Sequence, residues 1–184
     1  QKTGAKINEL SKAIGLDHRI GPHFLEPSVG FGGSCFKKDI LNLVYLAKFY
    51  GLIEVAEFWE SVVHINKWHQ SRISQLVVKK LFGTLSGKKI AIFGFAFKAN
   101  TNDTRESAAI QICKDLINEG GNLVIHDPKV DPLQISQDLG QEPLKTIDES
   151  NLINTNGSWQ FSKDINILEN CHAALILTEW DDYK

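Results

Sequence analysis

Cys35 follows the loop Gly30-Phe31-Gly32-Gly33-Ser34 and precedes Phe36-Lys37-Lys38-Asp39. Glycines allow backbone conformations closed to other residues and let a ligand come close to the main chain. Ser34 suits an N-cap, so a helix is predicted to start at Cys35. Unpaired N–H groups and the positive end of a helix favour an anion, and a thiolate is one. Lys37 and Lys38 act in the same direction. Asp39 lies four residues on, one turn away and on the same face as Cys35. Most free cysteines are small buried hydrophobes. Here a nucleophile, cations and a carboxylate converge within two turns, which favours a reactive thiol. A Cys–His hydrolase needs a histidine base. None of His18, His23, His64, His69, His126 and His172 stands in a recognisable companion motif.

A second candidate is Gly94-Phe95-Ala96-Phe97-Lys98, a turn after an apolar run. It is not G-x-G-x-x-G, because Phe95, Phe97 and Lys98 replace residues small enough for a pyrophosphate to approach. A helix predicted to begin at Thr104–Arg105 can still hold an anion. Lys98 and Arg105 add positive charge, and Phe97 can stack on a flat base. The plain alternative is an α/β core turn with solvated charges. Asp127 ends a strand where an ordinary Rossmann fold holds a ribose, but Asp before Pro is also a common turn.

The elements that must position these residues follow from periodicity. Residues 4–15 read as a short amphipathic helix (Ile7, Leu10, Ile14) with Gly15 as its stop. Residues 35–50 form the helix carrying Cys35, ended by Gly51. From about Glu54 to Phe82 helical spacing runs on without glycine or proline for roughly 40 Å. Aromatic residues on several of its sides (Phe58, Trp59, Trp68) predict a partner and hence a dimer core. Gly83–Lys89 is a short linker. Lys89–Phe95, a helix over 105–119, and Leu123–Pro128 make a βαβ unit with a parallel sheet. Residues 129–161 read as polar and irregular. Ser162–Asn170 is predicted as a short N-capped helix, and His172–Thr178 as a third strand. The fold class is α/β: an all-helical domain over 1–86, then part of a Rossmann-like parallel α/β domain over 87–184.

Composition sets bounds. The 184 residues are 42% hydrophobic and 23% charged with net charge −2, as expected of a soluble protein without an electrostatic case for nucleic acid or an anionic membrane. No apolar run is long enough to cross a bilayer. Cys35, Cys113 and Cys171 are odd in number and widely spaced, which points to reduced thiols in the cytoplasm rather than a disulfide scaffold or zinc site. The chain contains no methionine and starts without targeting character, so it reads as an internal or processed fragment with both ends cut.

Four motifs, in order and spacing, resemble one family. They are Gly-Phe-Gly-Gly-Ser-Cys-Phe-Lys-Lys-Asp (30–39), Gly-Phe-Ala-Phe-Lys-x-x-Thr-x-Asp-Thr-Arg-Glu-Ser (94–107), His-Asp-Pro (126–128) and Thr-Glu-Trp (178–180). The chain resembles the nucleotide-sugar 6-dehydrogenases, the UDP-glucose/GDP-mannose dehydrogenase family, over essentially its whole length. The first two motifs are long and specific; the last two are weak alone. The resemblance implies a central helical dimerisation domain and the first part of a UDP-binding Rossmann-like domain. It places the NAD-binding domain, with the family's catalytic lysine, asparagine and glutamate, outside this chain, so that the fragment alone does not turn over.

The activity so implied is the NAD-dependent four-electron oxidation of UDP-glucose to UDP-glucuronate, in a homodimer or higher oligomer. Cys35 would carry the thiohemiacetal and thioester, and Asp39 would handle the hydrolytic water. Ser28, Gly30, Phe31 and Gly32 resemble the loop that wraps the UDP-sugar through backbone groups, with Phe24 a substrate contact just before it. Phe97 and Lys98 resemble the uridine and phosphate contacts. Lys38 and Arg105 resemble residues reaching NAD beside the cysteine, and Arg19 an arginine reaching a neighbouring subunit's substrate. Lys37 departs from the pattern, where members often have Pro or Gln. Residues 129–161 match nothing in the pattern. Two alternatives remain: the same chemistry on another sugar nucleotide such as GDP-mannose, or a non-catalytic dimerisation and nucleotide-binding module.

Overall fold

The computed structural model describes residues 3–145 and 156–183. It is α/β, with a helical hairpin leading into a four-stranded parallel sheet. Helix α1 spans Ile7–Gly15, α2 Phe36–Phe49 and α3 Ile53–Lys80. Strand β1 is Lys89–Phe93, helix α4 Ala108–Asn118, strand β2 Asn122–His126, helix α5 Pro132–Leu139, strand β3 Ser158–Phe161 and strand β4 Ala173–Ile176.

Helices α2 and α3 pack as an antiparallel pair. Gly51, at φ 74°, makes the turn that side-chain-bearing residues resist. Ile40, Val44 and Ala47 of α2 close on Ala56 of α3, with Phe31, Trp59, Val62 and Val63 around them. The 28 residues of α3 extend for about 42 Å. Its first half faces α2. Its second half brings Ile73, Val77 and Val78 onto the sheet core, and Leu81, just past its end, joins them.

The strand order is β3-β2-β1-β4, with every neighbouring pair parallel. Alternate side chains divide the sheet into two faces. Ile90, Ile92, Leu123 and Ile125 join the large cluster under α3, α4 and α5, while Ala91, Phe93 and Val124 face Ile167, with Cys171 and Tyr183 packed against them.

Several boundaries differ from the sequence reading. Helix α2 starts at Phe36, and Cys35 is its N-cap residue; the Ser34 hydroxyl lies 3.7 Å from the Cys35 Sγ instead of capping the helix. Gly15 ends α1 as a helical residue, with Leu16 the right-handed cap. A Cβ on Gly15 would stand 2.9 Å from the Cα of Pro22, so close approach is what the glycine provides. Helix α4 begins at Ala108, not at Thr104–Arg105, because Ser107 caps it by accepting from the Ala109 N–H. Residues 162–170 form turns: Ser162 accepts from the Asp164 N–H and Asp164 from the Asn166 N–H, local bonds that compete with a helix.

Within 129–161, α5 and β3 are ordered elements. Asp131 caps α5, Pro132 opens it and Gly140, at φ 71°, closes it, a start-and-stop signature legible in the sequence. Residues 146–155 of that stretch lie outside the described residues. The third predicted strand is therefore the fourth, β4.

Candidate active site

The glycine loop lies between α3 and the 97–106 segment. Asn66, part-buried on α3, accepts from the Phe31 N–H at 2.9 Å and donates to the Phe31 carbonyl at 3.0 Å. Both main-chain groups of Phe31 are thus held by one side chain. Its ring sits edge-on to Phe36, with centroids 4.7 Å apart. His69, one turn on from Asn66, contacts the Ser28 carbonyl through Nε2 at 2.9 Å. On the other side, the Gly33 N–H donates to the Arg105 carbonyl at 2.9 Å. A Cβ on Gly32 would collide with the Glu106 carbonyl, and one on Gly33, itself at φ 87°, would meet the Phe97 ring at 2.8 Å. These two glycines are needed because two backbones and an aromatic ring meet here.

Cys35 is exposed at the mouth of this junction, and Asp39 follows in the first turn of α2, its N–H on the Cys35 carbonyl at 2.8 Å. Lys37 pairs with Glu106 at 2.7 Å. Arg105 forks onto Asp103, with Nε 3.0 Å from Oδ1 and NH2 2.7 Å from Oδ2. The hydrogen bond with Asp103 raises the Arg105 guanidinium above its ordinary value, and the charge of Cys35 adds a smaller push. Lys38 is exposed on α2.

The turn after β1 is filled by the protein itself. Asp127 Oδ2 accepts from the Phe95 and Ala96 N–H groups at 2.7 and 3.1 Å; Oδ1 accepts from Lys129 and Val130, both at 2.9 Å. Asp127 is 4% exposed. In a dinucleotide fold the amides of this turn face a pyrophosphate. Here the carboxylate that follows β2 takes two of them, which corrects the ribose-holding option for Asp127. Thr178 completes the turn by donating to the Ala96 carbonyl at 2.6 Å and packing on Gly94, and Ser107 donates to the Phe95 carbonyl at 2.8 Å.

The strand order reverses between β1 and β4, and ligands of open α/β sheets bind in the crevice beyond such a reversal. A cleft of about 280 Å³ opens there, lined by Ser28, Val29, Phe97, Lys98, Leu177 and Glu179 among others. The Lys98 ammonium stands 5.5 Å from the Phe97 ring centroid.

Residues 91–184 match the family model for the UDP-binding domain of UDP-glucose/GDP-mannose dehydrogenases, and residues 1–68 match the model for the central domain. The chain belongs to the UDP-glucose/GDP-mannose dehydrogenase family.

The chain is 47% identical over its full length to the UDP-glucose 6-dehydrogenase of Drosophila melanogaster, covering 38% of that protein. It is 45% identical to the Caenorhabditis elegans UDP-glucose 6-dehydrogenase, covering 37% of it. A UDP-glucose dehydrogenase structure from the hyperthermophilic archaeon Pyrobaculum islandicum superposes with a TM-score of 0.81 at 29% identity, over 100% of this chain and 38% of that one. The chain thus spans about two-fifths of the length of the curated relatives it matches.

Of the residues singled out in the sequence, Ser28, Phe97 and Lys98 line one cleft, Gly32 packs on Phe97 and Glu106, the Arg105 carbonyl accepts from the Gly33 N–H, and Cys35 and Asp39 share the start of α2. Phe24, at φ 64°, is fully exposed, and Arg19 is exposed and paired with Asp17. Neither is gathered to the thiol within this chain. Asn66 went unnoticed in the sequence and His69 was weighed only as a catalytic base, because a polar side chain on a long helix carries no local mark of the loop it holds.

Proposed function

We propose that this chain forms the covalent and nucleotide-holding half of a UDP-glucose 6-dehydrogenase, converting UDP-glucose to UDP-glucuronate. The observation that carries the reading is the seating of the Cys35 loop, through Gly32 and Gly33, on Glu106 and Phe97 beside the crevice at the strand reversal. The nucleotide would lie in that crevice, with Phe97 under the base, Lys98 toward the phosphates, and the Ser28–Gly32 loop over the sugar. The thiol is then at the sugar end.

The chemistry follows from Cys35. Its thiolate adds to the carbon of a C6 aldehyde, and the aldehyde oxygen takes a proton. The thiohemiacetal carries the hydrogen that the second oxidation removes, leaving a thioester on Cys35. Asp39 takes a proton from water as it adds to the thioester carbonyl; the C–S bond then breaks, releasing the acid and the thiol. NAD, when bound, accepts the hydride at each oxidation. The residues present suit a minor share in holding it: Lys38 and Arg105 are exposed cations flanking Cys35, while the β1 turn has its amides closed by Asp127. NAD is therefore held mainly by a domain outside residues 1–184.

Residues 1–86 act as the dimerisation domain and 87–184 as the nucleotide domain. The exposed apolar side chains of α2 and α3, including Tyr45, Phe49, Phe58, Ile65 and Trp68, each at least 60% exposed, support a homodimer. Among the described residues no helix is long and apolar enough to cross a membrane. Free Cys35, Cys113 and Cys171 suit a cytoplasmic setting.

Calorimetric titration of UDP-glucose against GDP-mannose tests the ligand, with the uridine compound expected to bind more tightly. In the complete enzyme Cys35→Ser is expected to abolish net acid production and to stall at an aldehyde-stage or covalent species. Near-normal acid production by that variant refutes the thioester role.

A further inference from the structure

Residues 28–31 lie along α3. The Ser28 carbonyl oxygen is 2.9 Å from the His69 Nε2, and both main-chain groups of Phe31 are on Asn66. Between them Gly30 stands at φ 139°, and a Cβ there would come 2.9 Å from the Asn66 Oδ1 and 3.1 Å from the Gln70 Cγ. The helix thus grips this loop by its main chain. The same loop has a second surface: Pro27, Ser28 and Val29 line the crevice at the strand reversal, together with Phe97, Lys98 and Leu177.

His69 has a second partner. An Arg72 NH2 group lies 3.3 Å from its Nδ1, and the Arg72 guanidinium stands 5.7 Å from the Trp68 ring centroid. A guanidinium only donates, so Nδ1 is the bare nitrogen that accepts. A carbonyl oxygen only accepts, so the same ring carries its proton at Nε2 and donates it to Ser28. Two partners at different edges of the ring demand one tautomer.

We infer that Arg72 and His69 are positioning residues for the nucleotide crevice: Arg72 holds the imidazole as its Nε2–H tautomer, and that N–H holds the Ser28 carbonyl on α3, so that residues 27–29 stand as a wall of the crevice. Among the described residues neither side chain lines the crevice itself, so both act through the loop. This role rests on the proposed binding of UDP-glucose for the identity of the ligand.

Substitutions separate the relay from packing. His69→Leu keeps bulk and removes both ring nitrogens. His69→Gln keeps an N–H donor at about the reach of Nε2. Arg72→Met keeps the apolar stem and removes the donor to Nδ1. Calorimetric titration of the full chain with UDP-glucose is expected to show affinity reduced about three- to tenfold in His69→Leu, the worth of one hydrogen bond, and restored to within about twofold in His69→Gln. Without nucleotide, amides of residues 28–31 should exchange hydrogen faster in His69→Leu and at the native rate in His69→Gln. Nitrogen-15 spectra of the His69 imidazole in mildly alkaline solution should show the proton on Nε2 in the native chain and shared between both nitrogens in Arg72→Met.

Native affinity and native exchange in His69→Leu overturn the inference. So does equal weakening by His69→Leu and His69→Gln, which is the mark of packing alone. An unchanged imidazole spectrum in Arg72→Met overturns the part given to Arg72. A native chain that takes up no UDP-glucose refutes the proposed ligand instead, and the exchange rates of residues 28–31 still decide the hold on the loop.

Discussion

Asp127, just after β2, and Phe95, after β1, are joined by a 2.7 Å hydrogen bond from the Phe95 N–H to the carboxylate of a buried residue. With Ala96, Lys129 and Val130 also donating, one side chain ties together the ends of the two central strands. It also accounts for the turn's sequence: with the amides satisfied from within, Phe95 can enter the core instead of leaving room for a phosphate.

Asp127→Asn keeps the shape but turns an NH2 group toward backbone donors. The expected cost is about 2–4 kcal/mol, the scale of charged hydrogen bonds lost in a buried site. Urea unfolding measures it, and a change below about 0.5 kcal/mol contradicts the pinning role.

Gly32→Ala forces a methyl group against the Glu106 carbonyl. A destabilisation of about 1–3 kcal/mol is expected from overpacking against backbone that has little room to move. Nucleotide affinity should fall with it, because Phe97 lies against the adjacent Gly33. A variant with native stability and native affinity contradicts the close approach.

Asn66→Ala leaves the Phe31 N–H and carbonyl without their shared partner. The expected loss is about 1–3 kcal/mol. Hydrogen exchange should locate it: amides of residues 30–34 gain exchange rate, while those of β1 and β2 keep theirs.

Burial holds the His126 imidazole below its ordinary value, against the opposing pull of the Asp127, Asp182 and Asp164 carboxylates. Its Nδ1 lies 2.8 Å from the Tyr183 hydroxyl. The depressed group keeps the folded state from binding a proton that the unfolded chain takes up near pH 6.5, about the ordinary histidine value. This contribution to stability is complete above that pH and is lost as pH falls through the folded-state titration. The unfolding free energy should therefore drop more steeply with acidification in the native protein than in His126→Gln. Equal slopes between about pH 7.5 and 5 contradict it.

Phe58→Glu combined with Ile65→Glu places two charges seven residues apart on one exposed face of α3. If the proposed homodimer forms through this face, sedimentation should show the unsubstituted chain as a dimer and this variant as a monomer. A dimer that persists places the interface elsewhere.

The parts of this protein legible in the sequence are those governed by local pattern. The α2 and α3 stripes, the Gly51 stop and the βαβ unit follow from periodicity and punctuation, and Cys35, Phe97 and Lys98 stand out by residue type. The misses come from longer range or from competing local bonds. Ser34 looks like a cap, yet the chain turns once more before α2 begins at Phe36. Ser162 also looks like a cap, but Asp164 draws the following amides into turns. The Asn66–Phe31 pairing spans 35 residues and leaves no trace in either segment alone.

Helix α3 has neither glycine nor proline between Ile53 and Lys80, and both of its ends are packed, one on α2 and the other in the sheet core. It serves as a stiff strut, packed on α2 at one end and in the sheet core at the other, with the thiol loop held to its middle through Asn66 and His69. Bending the two ends toward or away from each other would require breaking helical hydrogen bonds. The α2 hairpin and the sheet therefore travel together as one unit, with no hinge between them along α3.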